Sequence, residues 1–279
     1  PFPAPKVRRN CGANDDARRR PTVGRRLVCW FSCGATSAVA ARIALREIGP
    51  AVEETRVVYC DPGSEHPDNA RFLRDVEEWL NHPIETLRSE KYADTWDVFE
   101  KTRWLVGTQG ARCTSELKKR LREDYQRATD VQVFGFDAGE QKRAARFVEH
   151  HTEVQARFPL IEKGLGKGDC LELVRRASIE LPALYGLGYE HNNCLGCVKG
   201  GAGYWNKVRR DFPEVFARMA AVERELGVAI CKAEPVVDGK RQRLPVFLDE
   251  LDPGAGNPQD LERAGCSIFC QIEEAQNAE

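Results

Sequence analysis

Short apolar runs alternate with stretches of helical periodicity along the first half of this chain, and that alternation narrows its fold more than any other feature. The runs 27–31 (LVCWF), 56–60 (RVVYC), 83–87 (PIETL) and 131–136 (VQVFGF) read as short strands, the first nearly continuous in apolar residues. Between them, 38–48 is Ala-rich and closed by Gly49-Pro50, and 67–80 places Phe72, Val76, Trp79 and Leu80 on one face. Residues 94–103 form a further helical stretch whose Trp96 and Phe99 read as core. A basic helix opens at 116–120 (ELKKR), and another over 140–149 bears Lys142, Arg143 and Arg146. Helices follow over 170–179 and 213–226. Strands alternating with helices at this spacing predict an α/β fold, a Rossmann-like parallel sheet with helices on both faces, plus a Cys-containing C-terminal extension. Residues 1–24 are expected to be a basic disordered tail, 25–212 the main α/β domain, and 213–279 a helix and a Cys-containing, irregular tail.

Composition excludes several classes. A chain of 279 residues with 42% apolar and 30% charged residues can bury a full core. A net charge of -1 argues against wholesale coating of nucleic acid. No run approaches the ~18 apolar residues of a membrane span, and the first residues hold no apolar core of the signal-peptide kind. A cytoplasmic protein is expected. Eleven cysteines, scattered through a chain too long to need staples, point to metal or thiol chemistry instead of a disulfide framework. Cys29 and Cys231 read as small buried apolar residues. Arg18, Arg19, Arg20, Arg25 and Arg26 read as part of a solvated tail rather than as phosphate ligands.

Two stretches carry the chemistry. Ser32-Cys33-Gly34-Ala35-Thr36-Ser37 joins the first strand to the first helix, so small side chains and backbone N–H groups face any anion there. Ser32, Thr36 and Ser37 add hydroxyls. GxxxxGK[ST] is absent, so this is not a Walker loop. Asp61 and Gly63 follow the second strand, at the end where open α/β sheets bind ligands. The other stretch, 182–201 (PALYGLGYEHNNCLGCVKGG), sets Cys194 and Cys197 as a CxxC in a Gly- and Asn-rich turn. That spacing lets two sulfurs face one metal, and suits a zinc knuckle, a redox dithiol or half of an iron–sulfur site.

In this order and spacing the motifs resemble the phosphoadenylyl-sulfate (PAPS) reductase family of the adenine nucleotide α-hydrolase-like (PP-loop) superfamily, in particular its phage-type branch. Pro159-Leu160-Ile161-Glu162, then Pro182–Tyr185, Gly188-Tyr189 and the CxxC, come close to that family's PLxD…PLYxxGYxxxGCxxC pattern, and the resemblance covers about residues 25–211. It implies that the Ser32–Ser37 turn holds the phosphates of an adenine nucleotide, whether PAPS, adenylyl sulfate (APS) or ATP. Ser32, Gly34 and Ser37 match the family's SGGxDS loop, whereas Cys33 and Thr36 depart from it and the loop's Asp is missing. The resemblance further implies nucleotide contacts from Asp61, Gly63, Lys118, Lys119, Glu140, Arg143 and Arg146, although Asp137 stands where an Arg is usual.

Cys113 sits where cluster-bearing relatives keep an upstream cysteine. With Cys194 and Cys197 it would supply three thiolates to a 4Fe–4S cluster, leaving one iron open. Zinc is the alternative metal, with His191 or Cys266 as fourth ligand, and a site that holds no metal is the third reading. Sulfonucleotide reductases end in Glu-Cys-Gly-x-His, which 264–270 (AGCSIFC) matches loosely: Cys266 stands as the nucleophile and Cys270 as a resolving thiol, while Glu and His are absent. The implied reaction is reduction of PAPS or APS to sulfite. The expected partners are thioredoxin or glutaredoxin as reductant and a second copy of the chain in a homodimer. Two alternatives stay open: ATP-dependent sulfur transfer to a nucleic-acid base, and a non-catalytic adenine-nucleotide-binding module.

Overall fold

The computed structural model describes residues 24–263 apart from 108–109, 234–235, 238–239 and 258. The expectations for the N-terminal tail, and those for Cys266 and Cys270, therefore lie outside the described residues.

Strand β1 (Arg26–Phe31) is buried along its whole length. Its side chains divide by parity, Leu27, Cys29 and Phe31 entering one apolar cluster and Val28 and Trp30 another. Period-two alternation between two cores is what a strand sandwiched between helical layers must show. Helix α1 (Ala35–Glu47) leads to β2 (Glu54–Cys60), and α2 (Asn69–Leu80) to β3 (Ile84–Leu87). The chain then crosses to the far side of β1. The crossover holds α3 (Thr95–Thr102), a short hairpin of β4 (Val106–Gly107) and β5 (Gly110–Ala111), and a helical stretch over 112–125. In that stretch α4 (Arg112–Thr114) and α5 (Arg120–Tyr125) flank a π-helical turn, Ser115–Lys119. Strand β6 (Val131–Val133) re-enters beside β1, and α6 (Gln141–His150) leads to β7 (Gln155–Arg157).

The sheet order is β3-β2-β1-β6-β7, with every pairing parallel. This is the expected Rossmann-like α/β architecture. Strand order reverses between β1 and β6, and ligands of such sheets bind beyond the strand C-termini at that reversal. The Ser32–Ser37 turn leaves β1 there. Gly135 leaves β6 against it: a Cβ at residue 135 would fall 2.7 Å from the Ser37 Cα, so only glycine lets the two segments pass.

Beyond the sheet come α7 (Pro159–Glu162), α8 (Lys167–Arg176), α9 (Ala183–Gly186), α10 (Ala202–Asp211) and α11 (Pro213–Leu226). Cys170 and Val174 of α8 join the cluster formed by α1 and α2. A separate cluster around Trp205 and Met219 takes in Trp96, Phe99, Cys197 and Cys231. Trp96 and Phe99 are thus core, and Cys29 and Cys231 are buried, as read from the sequence.

Several local expectations give way. The fourth run stops being strand at Val133, because Phe134 and Phe136 turn into an aromatic cluster with Phe147 and Phe158. The short polar strand β7 and helix α10 have no counterpart in the sequence reading. Nor is the extension irregular from Cys231 onward: β8 (Cys231–Ala233), β9 (Val236–Val237), β10 (Lys240–Arg241) and β11 (Leu244–Val246) form two antiparallel pairs, before α12 (Gln259–Arg263). The carboxylate of Glu223, fully buried on α11, accepts the Ile230 and Leu248 N–H groups and fixes this region to the helix.

Arg26 is neither tail nor phosphate ligand. It lies in β1, at the end of the sheet opposite the Ser32–Ser37 turn, and its guanidinium meets both carboxylate oxygens of Asp130 at 3.0 and 2.8 Å. Removing one member of a buried pair strands the other charge. Asp130→Ala is therefore expected to cost about 3–5 kcal/mol in urea unfolding, while Arg26→Met combined with Asp130→Leu recovers most of that loss. A double variant no more stable than the single one would show that the pair does not act this way.

Candidate functional site

The Ser32–Ser37 turn is closed on itself. Cys33 adopts φ 57, a left-handed conformation that favours glycine. Its thiol is buried and donates to the Asn69 carbonyl at 3.5 Å, and burial pushes its pKa up. The Ser37 hydroxyl accepts the Ser32 N–H and hydroxyl, both at 3.1 Å, and donates to the Gly34 carbonyl at 2.9 Å. Asn192, two residues before the CxxC, donates its amide to the Cys33 carbonyl at 2.6 Å and to Asn69 Oδ1 at 2.8 Å. The Tyr185 hydroxyl lies over Gly34, where a Cβ would fall 3.3 Å from it. Ala35 is buried at the start of α1, and Thr36 beside it is half-buried.

Past β2, the Asp61 carboxylate accepts the Gly63 N–H at 2.8 Å and pairs with Arg88 at 2.6 Å. Gly63 has φ 68, and a Cβ there would fall 2.4 Å from the Ala93 carbonyl oxygen, so this turn requires glycine. Glu65 follows with its side chain 4% exposed. Its carboxylate collects Tyr59 Oη at 2.7 Å, Asn69 Nδ2 at 2.6 Å and Lys118 Nζ at 3.4 Å. Sequence reasoning gives Glu65 no role of its own, and the available signal is a carboxylate between a strand end and a helix start. Tyr185 and Asn192 lie inside the quoted motif stretch, which likewise assigns them none.

The basic residues divide. Lys118 is buried, its neighbour Lys119 is half-buried near Glu123 at 3.8 Å, and Arg120 is exposed beside Glu116. Glu140 and Arg143 pair with each other, and Glu140 forms a capping box with Asp137 at the start of the helix. Arg143 also covers the Phe136 ring at 4.8 Å, and Arg146 is exposed.

The three cysteines share a neighbourhood. Cys197 lies within the Trp205 cluster, and Cys113 packs against that cluster. Cys194 forms an antiparallel bridge with Glu65, and the Leu195 N–H donates to the Ser64 carbonyl at 2.9 Å. The Cys197 N–H donates to the Tyr204 hydroxyl at 2.9 Å. Burial pushes the Cys113 thiol up to about 12, with Cys197 adding to the rise and Lys199 and Lys118 opposing it. A cavity of about 10 Å³ beside Cys194 is lined by His191, Tyr189, Tyr204 and Phe212. Among the described residues no three His, Cys, Asp or Glu side chains converge as a ready ligand set. Three cysteines are the donor type of a soft-metal or iron–sulfur site, with Lys118 and Lys199 near Cys113, but they are not gathered as ligands here. Cys33 and Cys60, at 0% and 4% exposed, act as packing groups.

The CxxC lead-in is anchored on α2. Asp68 accepts the Ala183 N–H at 2.9 Å and pairs with Arg71, which donates to the Glu180 and Leu181 carbonyls.

No family model matches the sequence. A curated protein of Methanocaldococcus jannaschii, "Uncharacterized protein MJ0066", is 25% identical over 208 residues, which is 70% of this chain and 41% of that protein. The chain thus spans about two fifths of that relative's length. Among solved structures it is similar to the phosphoadenylyl-sulfate (PAPS) reductase of Candida auris in its phosphate complex, at 11% identity and TM-score 0.46, covering 60% of this chain and 80% of that one. It is also similar to the U34-tRNA thiolase NcsA of Methanococcus maripaludis with its [4Fe-4S] cluster, at 12% identity and TM-score 0.43, covering 77% of this chain and 75% of that one.

Two outcomes are expected. The Arg71 hydrogen bond holds Asp68 below the usual carboxylate range. Its stabilising effect is therefore present above the unfolded value of about 4 and lost as pH falls through the lower folded value. The difference in melting temperature between wild type and Asp68→Asn should accordingly shrink on acidification; a constant difference would contradict the linkage. If Cys113, Cys194 and Cys197 hold an iron–sulfur cluster, protein purified without oxygen is coloured and contains iron and sulfide. A colourless protein with stoichiometric zinc would instead establish the zinc site.

Proposed function

We propose that this chain is a PAPS-reductase-like enzyme that binds an adenine nucleotide at the C-terminal end of its sheet and performs thiol-dependent sulfur chemistry there. One observation carries the reading: the CxxC segment is built onto the C-terminal ends of the strands, through Asn192 on the Cys33 carbonyl of the turn after β1 and Leu195 on the Ser64 carbonyl of the loop after β2. Phosphate and sulfur chemistry would then share one edge of the sheet, at the strand-order reversal. The motif resemblance over 25–211 supports the same reading.

In the leading form the substrate is PAPS or APS. The turn and the α1 N-terminus would receive phosphate, with Lys118 as the nearby cation. The Cys266 thiolate attacks the sulfur of the sulfonucleotide, the sulfur–oxygen bond to the phosphate breaks, and the adenosine phosphate leaves with that electron pair. A second thiol then attacks Cys266 Sγ, releasing sulfite and leaving a disulfide, so two thiols supply the two electrons. Cys270, thioredoxin or glutaredoxin is the second thiol. Cys113, Cys194 and Cys197 would hold the 4Fe–4S cluster or zinc. A cluster bound by three cysteines supplies one iron open to sulfide, solvent or a fourth ligand.

A second reading is favoured by the altered surroundings of Cys266, which lack the Glu and His of sulfonucleotide reductases. Here a base carbonyl oxygen attacks the α-phosphate of ATP, pyrophosphate leaves, hydrosulfide adds to the activated carbon, and AMP departs with the oxygen. The missing loop Asp weighs against it.

Incubation of the purified protein with reductant and labelled PAPS or APS should release sulfite, and Cys266→Ala should abolish that release. Pyrophosphate formed from ATP only when nucleic acid is present, without sulfite release, would reverse the order of the two readings. Nucleotide affinity without turnover in either assay would leave a binding module.

A further inference from the structure

Helix α12 ends at Arg263, and Cys266 follows three residues later, outside the described residues. The helix is fixed on α10, which itself follows the CxxC. Asp260 is 6% exposed, and its carboxylate accepts the Gly203 N–H at 2.9 Å and the Asn257 N–H at 3.0 Å. Glycine is required where the two helices meet. A Cβ at Gly201, the N-cap of α10, would collide with the Asp260 carboxylate, and one at Gly203 would fall 2.7 Å from the Asn257 carbonyl oxygen. The chain before α12 is bound to α10 as well, because the Asn206 amide donates to the Asp252 and Ala255 carbonyls at 2.8 and 2.9 Å.

Leu261, the next residue along α12, reaches the CxxC. It shares the lining of one cavity with Cys194, Tyr189, Tyr204 and Phe212. Cys197 is 8% exposed within the Trp205 cluster, whereas Cys194 is half-buried and faces that cavity. Five residues carry the chain from Leu261 to Cys266, an extended reach of about 17 Å. That is ample beside a cavity of about 10 Å³. A short tether of this kind holds the local thiol concentration in the millimolar range. Cys270 lies four residues further along and would close a longer loop at a larger entropic cost.

We propose that residues 264–270 fold back over the cavity beside Cys194, and that Cys266 and Cys194 form a reversible disulfide there. Helix α12, clamped by Asp260, is the fixed point from which the segment reaches. On oxidation both thiols lose their protons, the two sulfurs join, and two electrons pass to a disulfide or diazene oxidant; a dithiol reductant returns them. The bond takes Cys194 away from any metal and Cys266 away from any substrate, so one oxidation withdraws both thiols. The latch concerns this chain's own cysteines and stands whichever nucleotide the turn receives.

The test is to treat the full chain with diamide, a diazene that oxidises thiol pairs, block the remaining thiols, and digest with trypsin without reduction. Mass spectrometry should find peptide 177–199 joined to peptide 264–279, and fragmentation should place the bond between Cys194 and Cys266. Cys197→Ser should keep that bond and Cys194→Ser should lose it. Asp260→Ala should lower its yield about fivefold, the weight of one lost helix cap. No bond, a bond between Cys266 and Cys270, a bond to any other cysteine, or a bond between two copies of the chain overturns the latch. An undiminished yield in Asp260→Ala overturns α12 as its fixed point.

Discussion

The buried carboxylate of Glu65 is the interaction on which the candidate site depends. An ionised group removed from water must be met by donors and opposite charge, or its burial is prohibitive. Its three donors come from three elements: Tyr59 from β2, Asn69 from α2 and Lys118 from the π-helical turn. The same residue pairs its backbone with Cys194. Asn69 then passes the connection on, since its side-chain oxygen takes the Asn192 amide that also holds the Cys33 carbonyl. Sheet, crossover, Ser32–Ser37 turn and CxxC lead-in thereby meet around one charge.

The π-helical turn explains how a lysine reaches that charge. Glu116, Leu117 and Lys118 are all buried, three in a row, which a regular amphipathic surface helix does not do. Widening the helix at Ser115–Lys119 turns Lys118 inward and sets its carbonyl against the Cys60 thiol at 4.0 Å. Such turns inside helices are frequent at functional sites. Leu117 anchors the turn in a small cluster with Tyr92 and Val98, with Cys113 packed against it. The position of the upstream cysteine is thus tied to the same distortion that buries the lysine.

These dependencies mark what the sequence could and could not reveal. The β1, β2 and β6 strands were legible because runs buried on both faces must be apolar, and α2 because its apolar residues keep helical spacing. β7 was not, since Gln155-Ala156-Arg157 is a polar edge strand defined only by its pairing with β6. α10 escaped because its inward residues, Tyr204, Trp205 and Val208, follow a glycine-rich turn and are interleaved with charge. At the site, the turn and the CxxC were legible as motifs, but their mutual stitching was not. It is made by Asn192 and by backbone groups, which leave no composition signal. Lys118 and Lys119 read as two equivalent cations on a basic helix, and only the π turn separates them.

Electrostatics then narrows how an anion could be accepted. Glu65, Asp61 and Asp68 all bear unfavourably on negative charge at Cys33, and Lys118 opposes them. Asp61 is matched by Arg88 and Asp68 by Arg71, each at 2.7 Å or less. Glu65 is matched by Lys118 at the longer distance of 3.4 Å. A phosphate at the start of α1 gains from the helix dipole, a term of about 0.3–1 kcal/mol at an exposed site and about 2 kcal/mol where partly buried. That gain is small beside the repulsion of a nearby buried carboxylate. Glu65 and Lys118 weigh most among the charges that act on Cys33, and a lysine drawn toward a phosphate would leave Glu65 to Tyr59 and Asn69. Two neutral donors already at 2.7 and 2.6 Å make that exchange feasible without exposing the carboxylate.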